Sequence, residues 1–60
     1  MTKIEFRAAL KALGLSQSKF SERMGVRPNT VSTWASGAAA VPGPVRAYLE
    51  LALAVRSLPV

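Results

Sequence analysis

The sequence predicts an all-α protein, a compact bundle of four helices with room for a short fifth turn. Three observations predict it. Apolar residues recur at helical spacing in four separate runs, and a capping residue or proline opens each run while a glycine or proline closes it. The chain is also short, at 60 residues, and half hydrophobic with ten Ala, so a small core must be packed economically, which helices do best.

The first helix is expected over residues 3–13. Thr2-Lys3-Ile4-Glu5 has the spacing of a capping box, Phe6, Ala9, Leu10 and Leu13 fall at i, i+3, i+4, i+7, and Gly14 supplies a stop. Lys3, Arg7 and Lys11 form a basic stripe on another face, which reads first as a solvated surface. The second helix is expected over 17–24. Ser16 is a good N-cap, Leu15 and Phe20 have the spacing of a hydrophobic staple, and Gly25 suits a positive φ after the last turn. The third is expected over 28–36, opened by Pro28 and closed by Gly37, with Val26 and Val31 repeating the staple. Arg27 is a poor N-cap, so its first turn must fray or be capped from elsewhere. Residues 38–43 read as a connecting loop, because Val41-Pro42-Gly43-Pro44 forces extended geometry ahead of each proline. The fourth helix then runs over 44–57, before Leu58-Pro59 stops it. The whole chain, 1–60, reads as a single domain.

Composition narrows the chemistry. There is no His, Cys or Asp, which excludes a zinc finger, a thiol nucleophile, a Ser-His-Asp triad and a disulfide framework, so the expectation is no enzyme, no metal site and no cofactor. Eight Lys plus Arg against three Glu give a net charge of +5, which points to a polyanionic partner, either nucleic acid or an anionic membrane surface. Residues 41–60 are interrupted by Pro42, Pro44, Arg46, Glu50 and Arg56, so no transmembrane helix is expected. Charges near the N-terminus leave no signal-peptide core, and a cytoplasmic, nucleoid-associated location follows as an expectation.

Two short helices joined by a tight Gly-containing turn are common, and the residue types at each position sharpen the reading. Ser21 is small where two helices must cross closely, Gly25 sits in the turn, and Val26, Val31 and Trp34 point back to the core. That is the pattern of a DNA-binding helix-turn-helix. Leu15-Ser16-Gln17, Met24-Gly25-Val26 and Thr30-Val31-Ser32-Thr33-Trp34 with Gly37 resemble the lambda-repressor-like, Cro-type regulators of phages and bacteria, the XRE family, over roughly residues 6–53. The chain departs from the family pattern in Ser21 for Ala, in Arg27 for a small polar cap, and in having no fifth helix.

The resemblance implies that the third helix enters the major groove while the second lies across the backbone. The base-reading candidates are Asn29, Thr33, Pro28 and Ser32. Asn29 leads, because its amide can pair bidentately with adenine, while Thr33 can hydrogen-bond or set its methyl against thymine, and Pro28 offers only apolar contact. An alternative keeps Asn29 as a cap at the helix start. For phosphate, the family points to Gln17 and the start of the second helix; Arg27 and Ser36 flank the third, and Arg46, Lys19 and Arg23 are further candidates. No acidic residue lies between Glu22 and Glu50. Trp34, Phe6, Phe20 and Tyr48 read as packing, not as base-stacking platforms.

The fourth helix carries two apolar stripes. Val45, Tyr48, Leu49 and Ala52 can cover the domain, whereas Leu51, Ala54, Val55 and Leu58 need company, which predicts a homodimer through residues 44–58. The expected function is thus a small repressor that binds double-stranded DNA at a palindromic operator, with no small-molecule ligand. Two rivals stand beside it: a protein-interaction module, antitoxin-like or adaptor, on the same fold, and a membrane-surface peptide. The second is weakened by a polar arc on the fourth helix of only Arg46, Glu50 and Ser57.

Overall fold

Each predicted helix is present in the computed structural model, which describes residues 1–57. Leu58, expected at the end of the second apolar stripe, lies outside the described residues. The order is α1 (Lys3–Ala12), α2 (Gln17–Met24), α3 (Pro28–Ser36) and α4 (Gly43–Ser57).

The ends of the helices follow from local hydrogen bonds. Thr2 caps α1 through the full reciprocal box: the Glu5 N–H donates to Thr2 Oγ1 at 3.1 Å, and the Thr2 N–H donates to Glu5 Oε1 at 2.9 Å. At the other end α1 stops one residue short of the expected Leu13. The Gly14 N–H donates to the Lys11 carbonyl at 3.1 Å and the Leu15 N–H to the Leu10 carbonyl at 2.9 Å, a Schellman pair that unwinds the helix after Ala12 and folds Leu15 back onto the core. Ser16 caps α2, its Oγ accepting from the Lys19 N–H at 3.1 Å. A second Schellman pair closes α2, with Gly25 at φ 71° and the Val26 N–H bonded to the Ser21 carbonyl at 3.0 Å. α3 has Pro28 in its first turn and no side-chain cap from Arg27. α4 begins at Gly43, one residue ahead of the expected Pro44, because the Pro42 carbonyl already accepts from the Arg46 N–H at 3.0 Å and so closes the first turn.

The core takes one face from every helix. Phe6, Ala9 and Leu10 of α1, Phe20 of α2, Val31, Trp34 and Ala35 of α3, and Val45 and Leu49 of α4 are buried. Phe6 is central: its ring meets Phe20 at 5.7 Å and Trp34 at 6.0 Å, both edge-on, arrangements worth about 0.5–1.5 kcal/mol each beyond their buried area. Phe20 in turn lies 6.2 Å from Tyr48 of α4. Leu15, ahead of α2, and Met24 and Val26, at the α2–α3 turn, are partly buried against this core. Ser21 is buried at the α2–α3 crossing, and its hydroxyl donates to the Ser18 carbonyl at 2.7 Å, so a polar residue stands in the core without an unpaired group. This explains how the chain accommodates Ser where the family pattern has Ala.

Candidate nucleic-acid interface

α3 is amphipathic in a way that fixes what it shows to a partner. At about 100° per residue, Val31, Trp34 and Ala35 fall on one side, and all three are buried. Asn29 lies opposite them, at the centre of the outward face, with Ser32 and Ser36 on one flank and Thr33 on the other. Pro28, Asn29, Ser32 and Ser36 are exposed and Thr33 is half-buried. Trp34 at 6% exposure cannot stack on a base without leaving the core.

The hydroxyls on this face are not equally free. Thr33 Oγ1 donates to the Thr30 carbonyl at 2.6 Å, so its proton is committed and only its lone pairs and methyl remain for a base edge. Ser36 Oγ donates to the Thr33 carbonyl at 3.3 Å and accepts from the Ala38 N–H at 3.3 Å, which ties it to the end of α3. The resemblance offered Thr33 as a base contact and Ser36 as a phosphate contact beside α3; the local bonds depend on rotamers that the sequence does not encode. Ser32 and the Asn29 amide make no side-chain hydrogen bond among the described residues. Thr30, exposed beside Pro28 and Asn29, was not among the expected contacts, and only its place at the edge of the face marks it.

The starts of α2 and α3 present the charge pattern an anion requires. Neither has an acidic residue in its first turn; at α2 the Gln17 and Ser18 amides stay available ahead of the Ser16-capped Lys19 N–H, whereas at α3 Pro28 has no N–H and the Thr30 N–H donates to the Arg27 carbonyl, which leaves the Asn29 amide and the positive dipole end. Gln17 is exposed at the start of α2 and borders a cleft with Arg7, Leu10, Lys11, Leu15 and Ser16. Arg27 and Arg23 are exposed and make no ion pair among the described residues. Lys19 lies 3.9 Å from Glu22 and Arg46 3.6 Å from Glu50, both pairs being largely exposed. Such pairs are worth about 0–1 kcal/mol, so either cation can turn to a phosphate at little cost. The remaining acidic side chain, Glu5, is held below its ordinary value of 4.5 by the Thr2 N–H and then by the Thr2 hydroxyl in the capping box of α1, and it borders a cleft with Glu50 and Leu53 of α4.

No helix among the described residues is long and apolar enough to cross a membrane. The helix-turn-helix family profile matches residues 6–49, most of the chain, from the first core aromatic to the last core leucine. No curated protein and no solved structure matches the chain. The profile describes a family of DNA-binding regulatory domains, not typically of enzymes. Its limits enclose the α2–turn–α3 unit and the exposed Asn29 face together, and the chain belongs to the XRE-type, lambda-repressor/Cro-like family of helix-turn-helix DNA-binding regulators.

Proposed function

We propose that the protein is a repressor that binds a palindromic operator as a homodimer and blocks a promoter by occupying it. The observation that carries this reading is the outward face of α3, held in one orientation by Val31, Trp34 and Ala35 and bare of acidic residues. Asn29, Thr33, Pro28 and Ser32 read base edges in the major groove, Asn29 by its amide and Thr33 by its oxygen or methyl. Gln17, Arg27, Arg23, Lys19, Arg46 and Ser36 hold the phosphates on either side, Ser36 through its oxygen alone. Residues 1–60 act as a single DNA-binding domain at the nucleoid in the cytoplasm, and 44–58 make the dimer.

Dimerisation is supported by α4. Its first stripe goes into the core at Val45 and Leu49, while Leu51 and Val55 of the second stripe are 66% and 60% exposed. A standard interface buries roughly 800 Å² per partner, about a fifth of the 4210 Å² surface of this chain. A face of Leu51, Ala54 and Val55 reaches that area only together with its surroundings, so the dimer is weak in free solution and firm on DNA. Two-fold pairing sets the recognition helices roughly 34 Å apart, one turn of duplex.

In vitro selection from random duplexes at about 150 mM salt, where non-specific binding is already weak, tests the whole reading. An enriched inverted repeat is the expected result. Enrichment of a single half-site removes the dimer and keeps the base reading. No enrichment by folded protein overturns the proposal and turns attention to a protein partner for α4.

A further inference from the structure

We propose that Arg7 and Lys11 of α1 form a second grip on the DNA backbone, outside the base pairs that α3 reads. This rests on the DNA-binding reading above and extends it to a helix that reading leaves idle.

The argument begins with the distribution of charge. The chain has three acidic side chains, and each is engaged: Glu5 in the capping box, Glu22 beside Lys19, Glu50 beside Arg46. Arg7 and Lys11 have no ion-pair partner among the described residues, and both are exposed. They stand at i, i+4 on α1, about 6 Å apart along the axis, where like charges repel. The fold then brings them to the same cleft as Ser16 and Gln17, beside the positive end of α2. Three sources of positive potential therefore share one small volume with no counter-charge. Each adds to the cost of the others in the free protein, and an anion at the cleft relieves all of them at once. Leu10 and Leu15 line the same cleft and give the alkyl stems an apolar bed while the charged ends stay in water.

Lys3, the third member of the stripe, is different. Its Cδ lies 2.9 Å from the point where a Cβ on Gly37 would stand, so its stem is laid against the end of α3. That leaves Arg7 and Lys11 as the pair beside Gln17. A strand whose phosphate meets Gln17 continues past the mouth of this cleft. Successive phosphates of one strand are about 3.4 Å apart along the axis and are further separated by the winding of the duplex, so two cations about 6 Å apart match neighbouring phosphates.

The test is a salt titration of binding to the selected duplex by wild type, by Arg7→Gln/Lys11→Gln, and by Lys3→Gln/Arg56→Gln, which removes the same net charge elsewhere. Neutralising two phosphate contacts is worth about 1.8 in the slope of log K against log salt per bound copy. The Arg7/Lys11 variant is expected to lose about that much with its selected sequence unchanged, and the Lys3/Arg56 variant less than half of it. A duplex carrying neutral methylphosphonates in the flank is expected to lower the wild-type slope to that of the Arg7/Lys11 variant and to leave the variant unaffected. Equal loss in both variants, or no effect of the neutral flank, overturns the proposal and makes these charges a general field. If wild type binds no duplex at any salt, the underlying DNA-binding reading fails and this inference falls with it. Helical circular dichroism of each variant verifies that the slopes compare folded proteins.

Discussion

Asn29 and Arg27 are two positions apart and are expected to fail in opposite ways. Asn29 stands at the centre of the outward face of α3, so Asn29→Ala should cost about 1–3 kcal/mol and relax preference at one base pair, read by repeating the selection. Arg27→Ala should weaken every duplex alike and lower the salt slope by about one, read by titration on specific and scrambled duplexes. An unchanged selected sequence in the Asn29 variant would end its base-reading role. Ser21 poses the complementary question of packing. Its hydroxyl bonds only to the carbonyl of Ser18 in its own helix, so Ser21→Ala should change stability by less than about 1 kcal/mol, whereas Ser21→Leu should cost about 1–3 kcal/mol or more by overpacking the α2–α3 crossing. Thermal unfolding of the two variants measures the difference. At this scale the sequence was legible in position and opaque in direction. The residue pattern placed Trp34 inward with Val31 and the family resemblance offered Asn29 as an exposed residue, and the 3.6 period of α3 sets the two on opposite faces. The sequence could not show that Thr33 spends its proton on Thr30, or that Arg7 and Lys11 line one cleft with Gln17, since the first is a rotamer choice and the second depends on how α1 and α2 are set together.

Helix ends carry much of the remaining specification, and they were the most legible features of the chain. Thr2 with Glu5, Ser16, Gly25 and Gly37 all mark the ends their types predict, since capping is a local bond between a side chain or a glycine and nearby amides. The misses, Leu13 outside α1 and Gly43 inside α4, come from backbone bonds that no side chain announces. Gly37 has the most to lose. Its φ of 85° is in the left-handed region, and a Cβ there would also press on the stem of Lys3. Gly37→Ala should therefore cost at least about 1–2 kcal/mol, and Lys3→Ala in the same background should recover the steric part and leave the backbone part. Calorimetry on the two variants separates those parts. α1 should also respond to acid. The Thr2 N–H and hydroxyl hold Glu5 below its ordinary value of 4.5, so the folded state binds this proton less readily than the unfolded chain. That contribution is fully present above the unfolded value and is lost as pH falls through the folded one. The melting temperature should drop on acidification from pH 4.5 downward, and Glu5→Gln should flatten that drop while starting from lower stability at neutral pH.

For the molecule as a whole, the open question is what α4 is for beyond the core. α4 contacts α1 and supplies Val45 and Leu49 to the interior, yet Leu51 and Val55 remain 66% and 60% exposed on its other side. The two stripes were readable in the sequence because one helix cannot bury both against so small a body. The sequence also assigns the first stripe to the domain and the second to a partner, and in the fold Val45 and Leu49 of the first are buried, with Tyr48 6.2 Å from Phe20. If the outward stripe is the dimer seam, Leu51→Glu or Val55→Glu places a charge where two copies of the same charge must meet, and the pair must separate. Both residues are solvent-exposed in the single copy, so neither substitution should disturb the helix content of the monomer. Sedimentation equilibrium is expected to show a concentration-dependent dimer for wild type and a monomer for either variant, with matching circular dichroism. On DNA the variants should bind a half-site as wild type does and lose the cooperative gain on the full inverted repeat, because the base-reading face of α3 is untouched. Unchanged mass and unchanged cooperativity would remove α4 as the seam and leave its exposed stripe to a different protein partner.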